Sequence, residues 1–128
     1  MSDERVVFDT EPLVAYLLDE DGAERVGEYL DRVVEGSAVG FVSPVTLTEV
    51  HYISHYYGAQ QSPDDFLGEL QASGVNQVKA SVCWRDAARY KREYQVALGD
   101  AYSLATASHV DGTLLVGGDD DFDGVEDV

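Results

Sequence analysis

The sequence predicts an α/β protein, a single domain over residues 1–128 with a mostly parallel sheet packed between helices. Three observations carry this. Four short runs read as strands: Arg5–Phe8, Val39–Val42 and Thr113–Val116 are largely apolar, as strands buried on both faces are, and Val75–Val78 is a third-strand candidate with valine at each end. Paired amphipathic helical segments separate them, giving the alternation β-α-α-β-α-α-β-α-α-β, which calls for parallel strands joined by right-handed crossovers. The 128 residues contain no repeat, linker or low-complexity stretch, and the length suits one domain with a proper core.

The elements follow from local chemistry. Arg5–Phe8 ends at Asp9, and Asp9-Thr10-Glu11-Pro12 opens a helix with Leu13, Val14, Leu17 and Leu18 at helical spacing. Asp19–Gly22 breaks it. Ala23, Val26, Tyr29, Leu30, Val33 and Val34 form a second helix that stops at Gly36. After Val39–Val42, Ser43-Pro44 starts a third helix carrying Val45, Leu47, Val50 and Ile53 to near Gly58. Ser62-Pro63-Asp64-Asp65 starts a fourth, which Gly74 ends. Ser81 to about Gln95 is a fifth, with Cys83, Ala87, Tyr90 and Tyr94 along one side. Asp100 then opens a helix of small residues, His109–Gly112 reads as a turn, and Thr113–Val116 leads into Gly117-Gly118-Asp119-Asp120-Asp121. Val125–Val128 suits a last short strand.

Composition narrows the setting. Eight Lys and Arg face 25 Asp and Glu, a formal net charge of −17. Removing four carboxylates for a site leaves −13, so the surplus belongs to the surface. Such a chain repels nucleic acid at low salt, since affinity for phosphate backbones comes from cation contacts. At molar salt the Debye length falls to about 3 Å and distant acids hardly act on a ligand. The composition therefore suits a salt-rich, halophilic cytoplasm. The single Cys83 forms no internal disulfide and suits a buried thiol in a reducing compartment. MSDERVVFD has no signal-peptide pattern, and no apolar run approaches the roughly 20 residues of a membrane span. Five of the eight cations (Lys79, Arg85, Arg89, Lys91, Arg92) fall within 14 residues. That window reads either as a solvated helix face or as a phosphate-contacting one.

Four carboxylates stand at element junctions. Asp9 ends the first strand, Glu49 lies about one turn into the third helix, Asp100 is at a helix start, and Asp119 follows the fourth strand, with Asp121 two residues on. Gathered at one sheet edge, they would need protons or cations to neutralise them. Oxygen-only ligands suit Mg²⁺ or Mn²⁺, and the chemistry that follows is metal-assisted phosphodiester hydrolysis. Each residue also has a plainer role. Asp9 and Asp100 suit helix N-caps, Thr46 and Glu49 have capping-box spacing, and Asp119–Asp123 suits an acidic turn. His51 and His55 have zinc-ligand spacing, but no third ligand stands near them and surface histidines are the simpler reading. No nucleophile elbow, P-loop or dinucleotide motif is present.

The order and spacing of Phe8-Asp9-Thr10, Thr48-Glu49-Val50, Gly99-Asp100-Ala101 with Ala105-Thr106-Ala107, and Gly118-Asp119-Asp120-Asp121-Phe122 resemble a PIN domain over essentially the whole chain. The size and acidic positions are most similar to the stand-alone PIN toxins of VapBC toxin–antitoxin systems. The resemblance implies a five-stranded parallel sheet with the first strand central, and an Mg²⁺- or Mn²⁺-dependent ribonuclease. It also implies a common homodimeric state and a cognate antitoxin. Asp9, Glu49, Asp100 and Asp119 match the acidic quartet. Asp9, Asp100, Asp119 and Asp121 are then metal ligands, Thr10 is a hydroxyl residue near substrate, and Arg85, Arg89, Lys91 and Arg92 are RNA backbone contacts. Where many members carry Thr or Ser two residues before the fourth aspartate, this chain has Gly117. Two other readings compete with a toxin. One is a housekeeping PIN nuclease of RNA maturation. The other is an inactive PIN-like module that binds RNA or a protein. Tyr52, Tyr56 and Tyr57 suit a dimer face, and core packing accounts equally for Tyr52 or Tyr56.

Overall fold

The computed structural model describes residues 4–117. Its centre is β1 (Arg5–Phe8), which lies between β2 (Val39–Val42) and β4 (Thr113–Leu115); β3 (Val75–Gln77) pairs with the far side of β2. All three pairings are parallel, and Val6 stands opposite Gly40 on one side and Thr113 on the other. The order β3-β2-β1-β4 gives four strands among the described residues, with the first inside the sheet as expected. The expected fifth strand, Val125–Val128, lies outside the described residues, as do Asp119 and Asp121.

Side-chain alternation along β1 divides the core in two. Val6 and Phe8 point into one layer and Val7 into the other, all at most 1 % exposed. The first layer is covered by α1 (Thr10–Leu17), α2 (Ala23–Glu35), α3 (Pro44–Tyr56) and α4 (Pro63–Ser73), through Leu13, Val26, Val50 and Phe66. The second is covered by α5 (Ala80–Tyr94) and α6 (Leu98–Val110), through Tyr90, Ala101, Leu104 and Ala105. Six helices thus flank the sheet among the described residues. None of these helices is long and apolar enough to cross a membrane.

Local caps explain several helix ends. Ser43 accepts a hydrogen bond from the Val45 amide at 3.1 Å, with Pro44 in the first turn of α3. Gly36 and Gly74 end α2 and α4 with φ of 82° and 106°, the left-handed region that favours glycine.

Four boundaries differ from the sequence reading. Helix α6 begins at Leu98, because the Ala101 amide already donates to the Ala97 carbonyl at 2.9 Å, so Asp100 lies inside the first turn and is not the N-cap residue. His109 and Val110 remain helical, and the turn shrinks to Asp111-Gly112. Asp111 takes φ 55° and the Gly112 amide closes on the Ala107 carbonyl at 2.9 Å. Val78 and Val116 fall just outside their strands, although the Val78 amide still donates to Val42 at 2.9 Å.

Candidate active site

The chain steps from β1 to β2 to β3, then returns to place β4 on the opposite side of β1. Such a reversal leaves a crevice beyond the carboxyl ends of the strands, where open α/β sheets bind ligands. Asp9 is the first residue past β1, and its amide donates to the Leu115 carbonyl at the end of β4 (3.2 Å). Gly117 is two residues past β4. The end of β1 and the approach to the Asp119 segment therefore meet at the reversal.

Asp9 is 3 % exposed, and its side chain makes no helix-capping hydrogen bond. Its Oδ1 instead accepts from the Ser103 hydroxyl of α6 at 2.7 Å. Ser103 Oγ lies 3.4 Å from the Thr46 hydroxyl of α3, and both residues are fully buried. Thr46 is thus part of this buried contact and not of a capping box, since the N-cap of α3 is Ser43.

Thr10 opens outward from Asp9 into a cleft of about 340 Å³ lined by Thr10, Glu11, Val14, Glu20, Glu49, Ile53, Ala97 and Asp100. The Thr10 hydroxyl donates to Glu49 Oε1 at 2.7 Å. The expected substrate contact at Thr10 is therefore a hydroxyl already engaged in holding Glu49. The Glu49 carboxylate rests against Gly99. A Cβ at that position would overlap Oε1 and stand 2.8 Å from Cδ. The missing Cβ leaves room for the Glu49 carboxylate in this position, in the cleft that Asp100 also lines.

Glu11 leans the other way, onto Gly117. A Cβ at 117 would overlap the Glu11 Cδ and stand 2.7 Å from its Oε1. The space that a Thr or Ser would fill at 117 is thus taken by a fifth carboxylate. Glu11 also lines an adjoining cleft of about 310 Å³ that includes Arg25.

The donor set of the first cleft is oxygen only, carboxylates plus one hydroxyl, which fits a hard divalent ion better than zinc or copper. Among the described residues no three His, Cys, Asp or Glu side chains converge closely enough to hold a metal by themselves. Asp119 and Asp121 lie outside those residues. His51 faces Asp64, with Nε2 to Oδ1 at 3.0 Å.

None of the α5 cations lines the cleft. Arg85 sits over the Trp84 ring, 4.9 Å from its centre. Arg89 sits over Tyr90 and donates to Glu93 at 3.3 Å. Lys91 Nζ donates to the Val96 carbonyl at 2.7 Å and so braces the connection into α6; Arg92 is exposed. Cys83 is buried as expected. Burial pushes its thiol up, the Thr106 hydroxyl opposes this, and the Asp86 charge adds to it. Tyr52, Tyr56 and Tyr57 are exposed, which removes the core-packing reading.

Ser103 and the contact of Glu11 with Gly117 were not in the sequence reading. Ser103 carries a faint signal, standing three residues after Asp100 and so one helical turn along the same side. The Glu11 contact carries none, because it depends on a missing Cβ 106 residues away.

These features define a class: a parallel α/β protein with carboxylates collected where its sheet order reverses. The PIN domain family profile matches residues 6–128, and the chain belongs to that family. A toxin–antitoxin complex from Klebsiella pneumoniae contains a chain of similar fold, with 22 % sequence identity and a TM-score of 0.69. The similarity covers 96 % of this chain and 94 % of that one. No curated protein sequence matches.

Proposed function

We propose that this chain is an Mg²⁺- or Mn²⁺-dependent endoribonuclease and the toxin of a type II toxin–antitoxin pair. The observation that carries the reading is the seating of Glu49 on Gly99, held by Thr10, beside Asp100 and directly after the β1 end that bears Asp9. Asp9, Asp100 and Asp119 would hold the ion, with Asp121 as an auxiliary acid. When bound, the ion supplies a water of lowered pKa and offsets charge on the leaving oxygen. Glu49 completes the shell or orients the attacking water, and Thr10 fixes its direction. Of the α5 cations proposed as RNA backbone contacts, Lys91 is engaged with Val96 and Arg89 with Glu93, so Arg85 and Arg92 are the more available. The similarity in fold to a toxin–antitoxin complex supports an antitoxin partner. Exposed Tyr52, Tyr56 and Tyr57 support a homodimer, and the charge of −17 supports a salt-rich cytoplasm.

The test is cleavage of total RNA in concentrated KCl, with Mn²⁺ or with EDTA. Cleavage with Mn²⁺ and none with EDTA is the expected result. A folded protein that cleaves nothing with Mn²⁺, or that cleaves equally in EDTA, overturns the reading. High salt matters because self-repulsion at −17 destabilises the compact state.

Gly99→Ala separates fold from site. Alanine is favoured over glycine in a helix by about 1 kcal/mol, and the atoms it would meet are the movable end of Glu49. The variant is expected to keep or slightly raise the melting temperature and to lose as much cleavage as Glu49→Gln. Wild-type cleavage by Gly99→Ala would show that the seating of Glu49 is incidental.

A further inference from the structure

We propose that Ser103 and Thr46 are positioning residues, a buried pair of hydroxyls that fixes the direction of the Asp9 carboxylate at the end of β1 for binding a divalent ion. The inference rests on the reading of Asp9 as a metal ligand. A serine hydroxyl has one proton to give, and Ser103 gives it to Asp9 Oδ1 at 2.7 Å. In the 3.4 Å contact between Ser103 and Thr46, Thr46 must then be the donor. The direction runs from α3 through α6 to the end of β1: Thr46 to Ser103 to Asp9.

The same helix supplies a contrast. A buried Ser or Thr inside a helix commonly bonds back to the carbonyl four residues earlier. Thr106 does so, donating to Tyr102 at 2.8 Å. Ser103, one turn before it, gives its proton to Asp9. Packing alone does not call for a hydroxyl there, since apolar Ala101, Leu104, Ala105 and Ala107 are buried along the same helix and the hydroxyl of buried Thr106 is spent on its own helix. One turn of α6 therefore presents Asp100 to the cleft and holds Asp9 in register with it. Partners behind a ligand usually set its orientation, and their loss typically costs about 10–100-fold in metal affinity.

Mn²⁺ titration of the full chain in concentrated KCl, followed by electron paramagnetic resonance, tests this alongside thermal melts of the metal-free protein. Ser103→Ala is expected to weaken Mn²⁺ binding about 10-fold. Thr46→Val, one bond further back and across a longer contact, should weaken it less. Thr46→Ser, which keeps the donor, should bind as wild type. Asp9→Asn should lose more affinity than any of them. Wild-type affinity in Ser103→Ala, with loss in Asp9→Asn, overturns the positioning role and leaves the site standing. Unchanged affinity in both overturns the site reading and the positioning role together. A lower melting temperature in Ser103→Ala with unchanged Mn²⁺ affinity assigns the hydroxyls to packing and also overturns the proposal.

Discussion

Asp100→Asn is expected to lower Mn²⁺-dependent RNA cleavage by at least about 10²-fold while leaving the protein folded. The magnitude follows from comparison with outer-shell partners. Groups that only orient a ligand are worth about 10–100-fold, so a ligand itself should be worth no less. Asparagine keeps the size of the side chain and one carbonyl oxygen but removes the charge that would neutralise the ion. The cost to the fold is small, because Asp100 is only partly buried in the first turn of α6. An acid there interacts with the positive end of the helix by roughly 0.3–1 kcal/mol. The melting temperature should accordingly move by a few degrees at most. Paired measurement of cleavage and melting checks both halves. Wild-type cleavage by Asp100→Asn would remove Asp100 from the site, and a collapsed fold would make its role structural.

How far the sequence revealed this arrangement can be followed residue by residue. The strand positions were legible because β1, β2 and β4 are buried on both faces and so read as continuous apolar runs; Val6, Val7 and Phe8 are all needed, pointing into opposite layers. Helix starts at Ser43-Pro44 and Ser62-Pro63 were legible because a side-chain acceptor and a proline advertise themselves locally. The start of α6 was not. Gly99 reads as a break before Asp100, whereas it lies inside the helix and its missing Cβ makes room for a carboxylate 50 residues earlier. The end of α6 was missed for a related reason. His109 and Val110 have no strong local preference, and Asp111 takes the left-handed conformation that a glycine would have signalled.

The site shows the same division between local and non-local information. Asp9, Glu49 and Asp100 stand out because charged groups at element junctions are conspicuous. Their plainer capping roles hold only in part: Asp9 does occupy the N-cap position of α1 but its side chain makes no capping bond, Ser43 takes the N-cap attributed to Thr46, and Ala97 takes the one attributed to Asp100. The partners of these acids were much harder to read. Ser103 is one small residue among many in α6, and its meaning arises only when α3 and β1 pack against that helix. The α5 cations form a conspicuous cluster in the sequence, yet packing engages Lys91 with Val96 and Arg89 with Glu93. A cluster in sequence is therefore weaker evidence for a surface than a carboxylate at a strand end is for a site.

Phe8→Ala should be the most damaging single substitution in the core. Phe8 is fully buried at the last position of β1, immediately before Asp9. Its ring reaches across β2, where a Cβ on Gly40 would lie 3.3 Å from Phe8 Cε2 and 3.0 Å from Val75 Cγ2. The glycine thus makes room for the ring, and no side chain at position 40 can fill the cavity left by truncation. Phe→Ala substitutions in cores cost about 3–5 kcal/mol, against a total stability of roughly 5–15 kcal/mol for a domain. The melting temperature in concentrated KCl should fall by roughly 10–20 °C, and denaturant melts should shift in midpoint with little change in slope. Mn²⁺ affinity should fall as well, because the cavity opens one residue before Asp9 and loosens the strand end that the Ser103 bond holds. A Phe8→Ala protein with near wild-type stability would mean that the α1–α4 layer closes over the gap, and the rigidity attributed to the β1 end would then have to come from the backbone pairing of β1 with β2 and β4.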